Sequence, residues 1–532
     1  MCNPRKIAAV FAVAGLFTAG CVSIEPSALT AGEIATLSRT DRLAAGDGVE
    51  PLSGALALEE AIARALKYNL NRRTHMMEEA LALNQLDVSR YDLLPKLVAS
   101  AGYSNRSEDY VTRAKDSVTG EPSLANPFIS SDSEHTLYDL GLTWSLLDFG
   151  LSYYTAKQNA DRVLIAAERR RKAMHVLIQD VRIAFWRTAS AQKLSGEVKH
   201  AIALAENALA DSRTAEAERL RSPLDSLRYQ RQLLENLRLL EAIDQELSTA
   251  RVELAHLINA PFGVNLTVVE PVDTLGKRML EVPVERMEEL AIAQNADLRE
   301  QFYGARIARD ETRKVLVKLF PGLSFNYNAR YDTDSFLVHN RWNEAGARLS
   351  YDLVNLFSAP SQQRFADAGV ALADQRRVAT QMAVLAQVHL ARLQFANAWQ
   401  QYARADAIWS VDDKISQHVT NRERLQSQSK LDRVANNTTA ILSLLRRYQA
   451  LAYAYAAASR LQATLGMELN IGSVQEMTLA DLSATVGAAL KDWQEGKLPD
   501  ELRSPQTNPS TRSSATETSL PQVAVADAEA AQ

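Results

Sequence analysis

Side chains that commonly carry reactions are sparse and unpatterned in this chain. Its eight histidines include no HExxH pair, its two cysteines, Cys2 and Cys21, are too few for a ligand cluster, and no glycine-rich phosphate-binding loop occurs. Carboxylates are plentiful, 64 against 59 Lys and Arg, but they are interspersed with bases to a net charge of −5, which fits solvated helix surfaces better than an acid–base pair. No catalytic residue, metal site or cofactor is expected, and the mixed charge gives no reason to expect nucleic acid. The remaining chemistry is electrostatic. "RSPLD" (Arg221 to Asp225) and "QSKLD" (Gln428 to Asp432) each place Ser three residues before Asp. Ser222 and Ser429 are therefore predicted N-caps, Asp225 and Asp432 fall in the first helical turn, and Pro223 takes the first helical position, where its missing N–H costs nothing.

These two turns belong to a wider duplication. Ala65, Asn69 and Pro95 recur as Ala291, Asn295 and Pro321 at a spacing of 226 residues. "LTWSLLDFG" from Leu142 is echoed by "LSYDLVNLF" from Leu349 at a spacing of 207, and Ser222, Leu224, Asp225 and Leu254 recur as Ser429, Leu431, Asp432 and Leu461 at the same spacing. The halves are collinear except for a net 19 residues between Pro95 and Leu142. That extra length falls in a polar, turn-rich stretch, about Asn105 to Glu134, predicted to be a surface loop. Each half reads as helix, strand, loop, strand, long helix, turn, helix.

The strands alternate apolar and polar residues. Leu140, Leu142 and Trp144 alternate with Gly141 and Thr143; Phe325, Tyr327 and Tyr331 with Asn326, Asn328 and Arg330; Ala347, Leu349, Tyr351 and Leu353 with Arg348, Ser350 and Asp352. With Leu97 to Tyr103 this predicts four two-faced strands per chain. The helices are long. Leu151 to Ser222 contains no proline, nor does Ser361 to Gly466, and a run of about 70 residues extends roughly 100 Å. Met174, Leu177, Val181 and Ala184 form a core-packing stripe, whereas "RRRK", Arg169 to Lys172, spreads around the helix and reads as a solvated face. The helix before the first strand, about Leu56 to Asp92, and the one after the turn, about Leu224 to Ala260, nearly sum to the long one and could stack end to end beside it.

At the N-terminus, Arg5 and Lys6 precede an apolar run from Ile7 to Phe17, too short to cross a bilayer and shaped like a signal peptide. The run closes on "LFTAGC", which resembles a lipobox with Cys21 as the lipidated residue; a plain signal peptide with an unmodified Cys21 is the alternative. Residues 1–20 are read as the signal peptide, 21–54 as a lipid-anchored segment, 55–278 and 279–468 as the two repeats, and 469–532 as a C-terminal segment whose tail is expected to be disordered. No later stretch has the roughly 20 apolar residues of a membrane helix, so any membrane crossing falls to the strands.

An open sheet with one apolar face cannot stand alone in lipid, because its edges leave backbone groups unpaired. The repeated "LLP"-to-strand junctions (Leu93 to Pro95) and their counterpart at Leu319 to Pro321, the "LTWSLLDFG" strand exit and the "SPLDSLRYQ" helix restart resemble the TolC-like outer-membrane efflux proteins over about residues 55 to 468. The resemblance implies a mainly α chain in which a homotrimer pools its strands into a 12-stranded transmembrane barrel, continued by long coiled-coil helices through the periplasm. It implies Tyr103, Leu140, Leu142, Trp144, Phe325, Tyr327, Leu349 and Tyr351 as lipid-facing residues. It further implies a periplasmic gate at Asp225 and Asp432 among Arg221, Arg424 and Arg433, and partnership with a periplasmic adaptor and an inner-membrane pump of the RND or ABC class. Outer-membrane placement and a passive export role, in efflux or type I secretion, follow from the same likeness. The competing reading is a periplasmic coiled-coil scaffold or adaptor lipoprotein, which gives the four two-faced strands no use.

Cys21→Ser should abolish metabolic labelling with palmitate while leaving the protein able to assemble; undiminished labelling in that variant would sink the lipobox reading.

Overall fold

The computed structural model describes residues 27–122, 127–218, 222–264, 266–269, 276–425, 430–467, 471 and 474–495. The expected signal peptide, Cys21, Arg221, Ser429 and the tail lie outside the described residues. The first half runs through α1 (Ala31–Gly46), α2 (Leu58–Tyr68), α3 (Leu70–Tyr91), β1 (Lys96–Asn105), β2 (Tyr110–Thr112), β3 (Phe128–Ser131), β4 (Glu134–Ser145), α4 (Leu146–Ala217) and α5 (Pro223–Leu257). The second half follows with α6 (Arg278–Glu281), α7 (Val284–Gln294), α8 (Ala296–Lys318), β5 (Gly322–Asp332), β6 (Arg341–Ser350), α9 (Leu353–Arg424) and α10 (Lys430–Leu465). A further helix, α11 (Leu479–Gln494), packs on α2.

The long helices α4 and α9 are both 72 residues, about 110 Å of helix, and both begin at a polar cap on equivalent residues. Ser145 Oγ accepts from Asp148 N at 3.2 Å, and Asp352 Oδ1 accepts from Val354 N at 2.9 Å and Asn355 N at 3.3 Å. The second cap ends β6 at Ser350. Tyr351 therefore lies one residue past the strand and Leu353 opens α9, correcting the longer strand expected from alternation alone.

The helix expected as one piece from Leu56 to Asp92 is instead broken at Asn69, and its repeat is broken at Asn295. The break is a joint in which each Asn serves three helix ends. Its backbone N–H donates to Ala65 or Ala291, closing the helix before it. Its Oδ1 accepts from Arg72 N (3.0 Å) or Leu298 N (3.1 Å), opening the helix after it. Its Nδ2 donates to the carbonyl of Leu257 (3.0 Å) or Thr464 (2.9 Å), the end of α5 or α10. Both side chains are buried, so unmade bonds here would leave stranded polar groups. Just beyond, α5 and α10 end in matching left-handed residues, Asn259 (φ 53°) and Gly466 (φ 71°). Ala260 N donates to Ala255 O at 2.8 Å and Met467 N to Gln462 O at 3.0 Å, the long return bond of a Schellman motif. Only glycine fits the second joint, because a Cβ on Gly466 would lie 2.3 Å from the Gln294 carbonyl oxygen.

The joints make two composite columns. Helices of 11, 22 and 35 residues stack beside α4; of the second column, the helices of 23 and 36 residues lie between α4 and α9 and the one of 11 residues packs on α9. The predicted stripe of Met174, Leu177, Val181 and Ala184 is buried in a core running from there toward the turn end. Toward the sheet, the buried residues of α4 are Gln158, Asn159, Asp161 and Glu168. Here α4 meets α8 through an antiparallel ladder: Lys157 to Asp310 (3.3 Å), Asp161 to Arg306, Glu168 to Arg299 (2.9 Å) and Lys172 to Asp297 (2.7 Å). The "RRRK" run is thus not simply solvated. Arg169 reaches Glu300 on α8 and Arg170 reaches Glu79 on α3, because successive residues about 100° apart address neighbours on both sides.

Asn295→Ala removes one cap bond and strands one carbonyl, a loss of about 2 kcal/mol. Chemical unfolding of detergent-solubilised protein should show it, together with at least as large a loss for Gly466→Ala; wild-type unfolding in both variants would remove the joint's structural importance.

Candidate functional site

The sheet is the first candidate site. Its order is β1-β4-β5-β6 with every neighbour antiparallel. Register sorts the side chains without exception for the strand residues expected to face lipid: Leu97, Ala99, Ala101 and Tyr103 pair with Leu142, Leu140, Tyr138 and Thr136, and the same face continues across Tyr327, Phe325 and Leu349. This face is bare, with Leu349 71% and Tyr103 66% exposed. Two aromatic rungs cross it on directly opposed β4 and β5 residues. Trp144 stacks with Phe325 (6.5 Å) near the helices, and Tyr138 with Tyr331 (6.0 Å) near the loops, with Leu140 and Leu142 between. Aromatic bands flanking an aliphatic belt suit the two interfaces of a bilayer.

The opposite face is polar and closely fitted. Asn328 and Asn326 lie over Gly141 and Gly346, where a Cβ would come within 2.6 and 2.8 Å of their side-chain oxygens. Arg330 spans three strands, reaching Asp139 on β4 (3.1 Å) and Glu344 on β6 (2.7 Å). Strands β1 and β6 each keep one edge without a partner strand among the described residues. At the loop end, the longer connection is not merely irregular: it contains the β2–β3 hairpin, so six strands are present among the described residues and four form the main sheet. The short variable segments of β2 and β3 lack the long alternation that reveals a strand in sequence. Both connections are latched together by Asp132 Oδ1 accepting from Ser335 Oγ (3.0 Å), and the adjoining ends of β4 and β5 by His135 Nδ1 against Asp332 Oδ1 (2.9 Å).

The turns between long and returning helices are the second candidate site. Pro223 occupies the first position of α5 as expected, but Ser222 makes no side-chain cap bond. Asp225 instead approaches Arg228 at 3.9 Å, an exposed pair in water. Arg424 is exposed at the last residue of α9, and Arg433 is held by Glu423 at 3.2 Å. Asp432 sits in the first turn of α10, its carbonyl accepting from Asn436 Nδ2 at 2.7 Å. The clasping residues missed in the sequence are Glu216 and Glu423. Glu216 takes Gln230 Nε2 at 2.6 Å as Glu423 takes Arg433, and their spacing of 207 was a legible signal.

Titratable groups with strongly shifted pKa lie away from both sites. Burial, with help from Arg171, lowers His175 to about 4, and burial lowers Arg182 to about 10. Arg182 bonds Ser459 and lies 5.7 Å from the Trp493 ring, a packing environment rather than a reactive cleft. Among the described residues no cluster of His, Cys, Asp and Glu could hold a metal ion, and no helix is long and apolar enough to cross a membrane.

No protein-family profile matches the chain, and the search of curated proteins found none similar. Solved structures are similar. The Campylobacter jejuni CmeC outer membrane channel aligns over 90% of this chain and 94% of its own with a TM-score of 0.60 at 14% identity. The open state of the Neisseria gonorrhoeae MtrE outer membrane channel covers 77% and 88% (0.57, 16%), and the Vibrio cholerae outer membrane protein VceC covers 77% and 96% (0.57, 14%). The fold is that of TolC-like outer-membrane channels.

The two faces of the sheet give a spectroscopic prediction. In vesicles of brominated phospholipid, Trp144→Phe should remove a quenched component of the tryptophan emission, whereas Trp342→Phe on the polar face should leave quenching unchanged. The reverse pattern would turn the sheet inside out.

Proposed function

We propose that this chain is the outer-membrane duct of an export assembly: a passive, non-enzymatic homotrimer carrying solutes from the periplasm to the exterior. The observation that carries the reading is a four-stranded, two-faced sheet with both edges open, joined without a break to helices of 72 residues. A sheet with an apolar outer face becomes stable in lipid once its edges are closed, and three copies supply the 12 strands of a barrel whose polar face lines water. The helices then form a conduit about 110 Å long, enough to reach a periplasmic adaptor and an inner-membrane pump of the RND or ABC class. Likeness to channels such as CmeC supports the assignment to efflux or type I secretion. Cys21 anchors the N-terminus to the same membrane through lipid. At the tip, Asp225 and Asp432, with Arg221, Arg424 and Arg433, form the charged rings of a narrow gate. The scaffold reading loses to this one because it leaves the apolar face and the open edges unused.

The trimer should migrate as a heat-modifiable band in detergent. An epitope inserted at Thr119, in a turn where Asp116 Oδ1 accepts from Val118 N (2.8 Å) and Thr119 N (3.0 Å), should be detected on intact cells. Detection only after permeabilisation would reverse the topology. In planar bilayers Asp432→Asn should lower cation preference without loss of trimers, and unchanged selectivity in both Asp432→Asn and Asp225→Asn would remove the gate assignment.

A further inference from the structure

We infer that the helical wall closes between copies along an apolar seam, in which α9 of one chain packs on α3 of the next, Phe357 against Tyr91 and Phe365 between Leu81 and Val88. The inference rests on the proposed trimeric duct and deepens it by naming the surface through which the copies meet. Toward the sheet, the helices lie side by side in the order α3, α4, α8, α9, as the strands run β1, β4, β5, β6. Among the described residues α3 and α9 are thus the two edges of the helical layer, as β1 and β6 are of the sheet. The duplication supplies a template for what meets them. Helix α8 repeats α3 at a spacing of 226, and α9 repeats α4 at a spacing of 207. The α4–α8 seam inside the chain is therefore the counterpart of a seam between α9 and the α3 of another copy.

The positions that such a seam would cover are apolar and bare. On α8, Ile307, Lys314 and Val317 are half-buried; their counterparts on α3 are Leu81, Val88 and Tyr91, which are 69%, 59% and 73% exposed. On α4, Gln158 is buried and Gly150 half-buried; their counterparts on α9 are Phe365 and Phe357, 81% and 84% exposed. Contacts of the internal seam say which of these meet. Gln158 Nε2 donates to Ile307 O at 3.2 Å and Lys314 Nζ donates to Gln158 Oε1 at 3.5 Å, which carries Phe365 to Leu81 and Val88. Gly150 lies so close to Val317 that a Cβ would come within 3.1 Å of its side chain, which carries Phe357 to Tyr91. None of the four ion pairs of the α4–α8 ladder has a counterpart pair. Lys157 and Asp310 become Arg364 and Asn84, Asp161 and Arg306 become Ala368 and Ala80, Glu168 and Arg299 become Gln375 and Arg73, and Lys172 and Asp297 become Ala379 and Asn71. The two seams of the wall thus differ in kind. Directional pairs fix the helices of one chain against each other, whereas burial of large side chains, which needs no charged partner, drives one copy onto the next.

The test uses full-length protein purified in detergent, with trimers read from the heat-modifiable band and conduction measured in planar bilayers. Oxidation of Phe357→Cys/Tyr91→Cys should link copies into dimers and trimers that survive boiling without reductant, and neither single substitution should do so. In Phe357→Cys/Leu81→Cys the two thiols stand about ten residues, roughly 15 Å, out of register and should stay unlinked. Ala368→Cys/Ala80→Cys, which removes no ring from the seam, should link through a short bismaleimide. Phe365→Ala should lower the temperature at which trimer gives way to monomer by roughly 10 °C, because every seam of the trimer loses the ring. Val338→Ala, which removes an apolar side chain 90% exposed in the loop between β5 and β6, should leave that temperature unchanged. Conducting trimers in which neither in-register pair links, in which the out-of-register pair links, or in which Phe365→Ala melts as wild type overturn the seam and leave the duct standing. Wild-type protein that is monomeric and does not conduct overturns the duct, and the seam with it.

Discussion

The joint built on Asn69 and Asn295 holds the helical part of the molecule to its length. A helix end leaves unsatisfied donors or acceptors, and three ends meeting in a buried place would leave many. One asparagine side chain offers an acceptor to the opening helix and a donor to the returning one, while its own backbone closes the preceding helix. Shorter helices can then stack as a column that keeps pace with an unbroken helix of 72 residues. Serine or aspartate could cap the opening helix but could not donate to the returning carbonyl in the same way. The left-handed residue that follows, Asn259 or Gly466, turns the chain aside so that the column is not blocked.

The column and its long neighbour have different chemistry at their two ends. From Met174 toward the turns, α4 is surrounded by α2, α5 and α10 and encloses an apolar core. From Gln158 to Glu168 it is flanked by α3 and α8 in a single layer, where its buried positions are polar. A layer one helix thick has little interior to fill with aliphatic groups, so specificity between its helices comes from directional pairs. Individually such pairs contribute little when exposed, but a ladder at fixed antiparallel spacing selects one register over its neighbours.

The period of alternation, the two constant spacings and the long proline-free runs were enough to read the helix–strand order, the duplication and the apolar face of the sheet from sequence. Alternation survives because each strand residue on one face meets its match across the register, as Leu142 meets both Leu97 and Tyr327. Less legible were features decided by one or two hydrogen bonds. Asn69 and Asn295 were visible as a repeated pair, yet nothing in a helical pattern says that an asparagine will break it. The cap at Asp352 cut short an alternation that continued formally to Leu353. At the turns, Ser222 had the right type and spacing for a cap, but the chain places its side chain without that bond, while Glu216 and Glu423 clasp the returning helices. Local spacing identifies which bonds are available; packing of distant helices decides which are made.

Where the halves agree and where they differ follows from the geometry of a wall made of repeats. Positions at the joints and caps are kept in kind: Asn69 with Asn295, Ser145 with Asp352, Glu216 with Glu423. These set helix length and direction, and two repeats that disagreed there could not lie parallel over about 110 Å. Surface positions are free of that constraint, and the sheet shows what the freedom permits. Inside the chain, β4 meets β5 through close contacts over glycine, such as Gly141 under Asn328. On the chain's outer strands Arg348 stands at the position equivalent to Gly141, and Lys96 at the position equivalent to Gly322. The sheet therefore has a tightly fitted, glycine-floored junction inside the chain and charged residues on its two outer strands, a difference that the duplication alone does not impose.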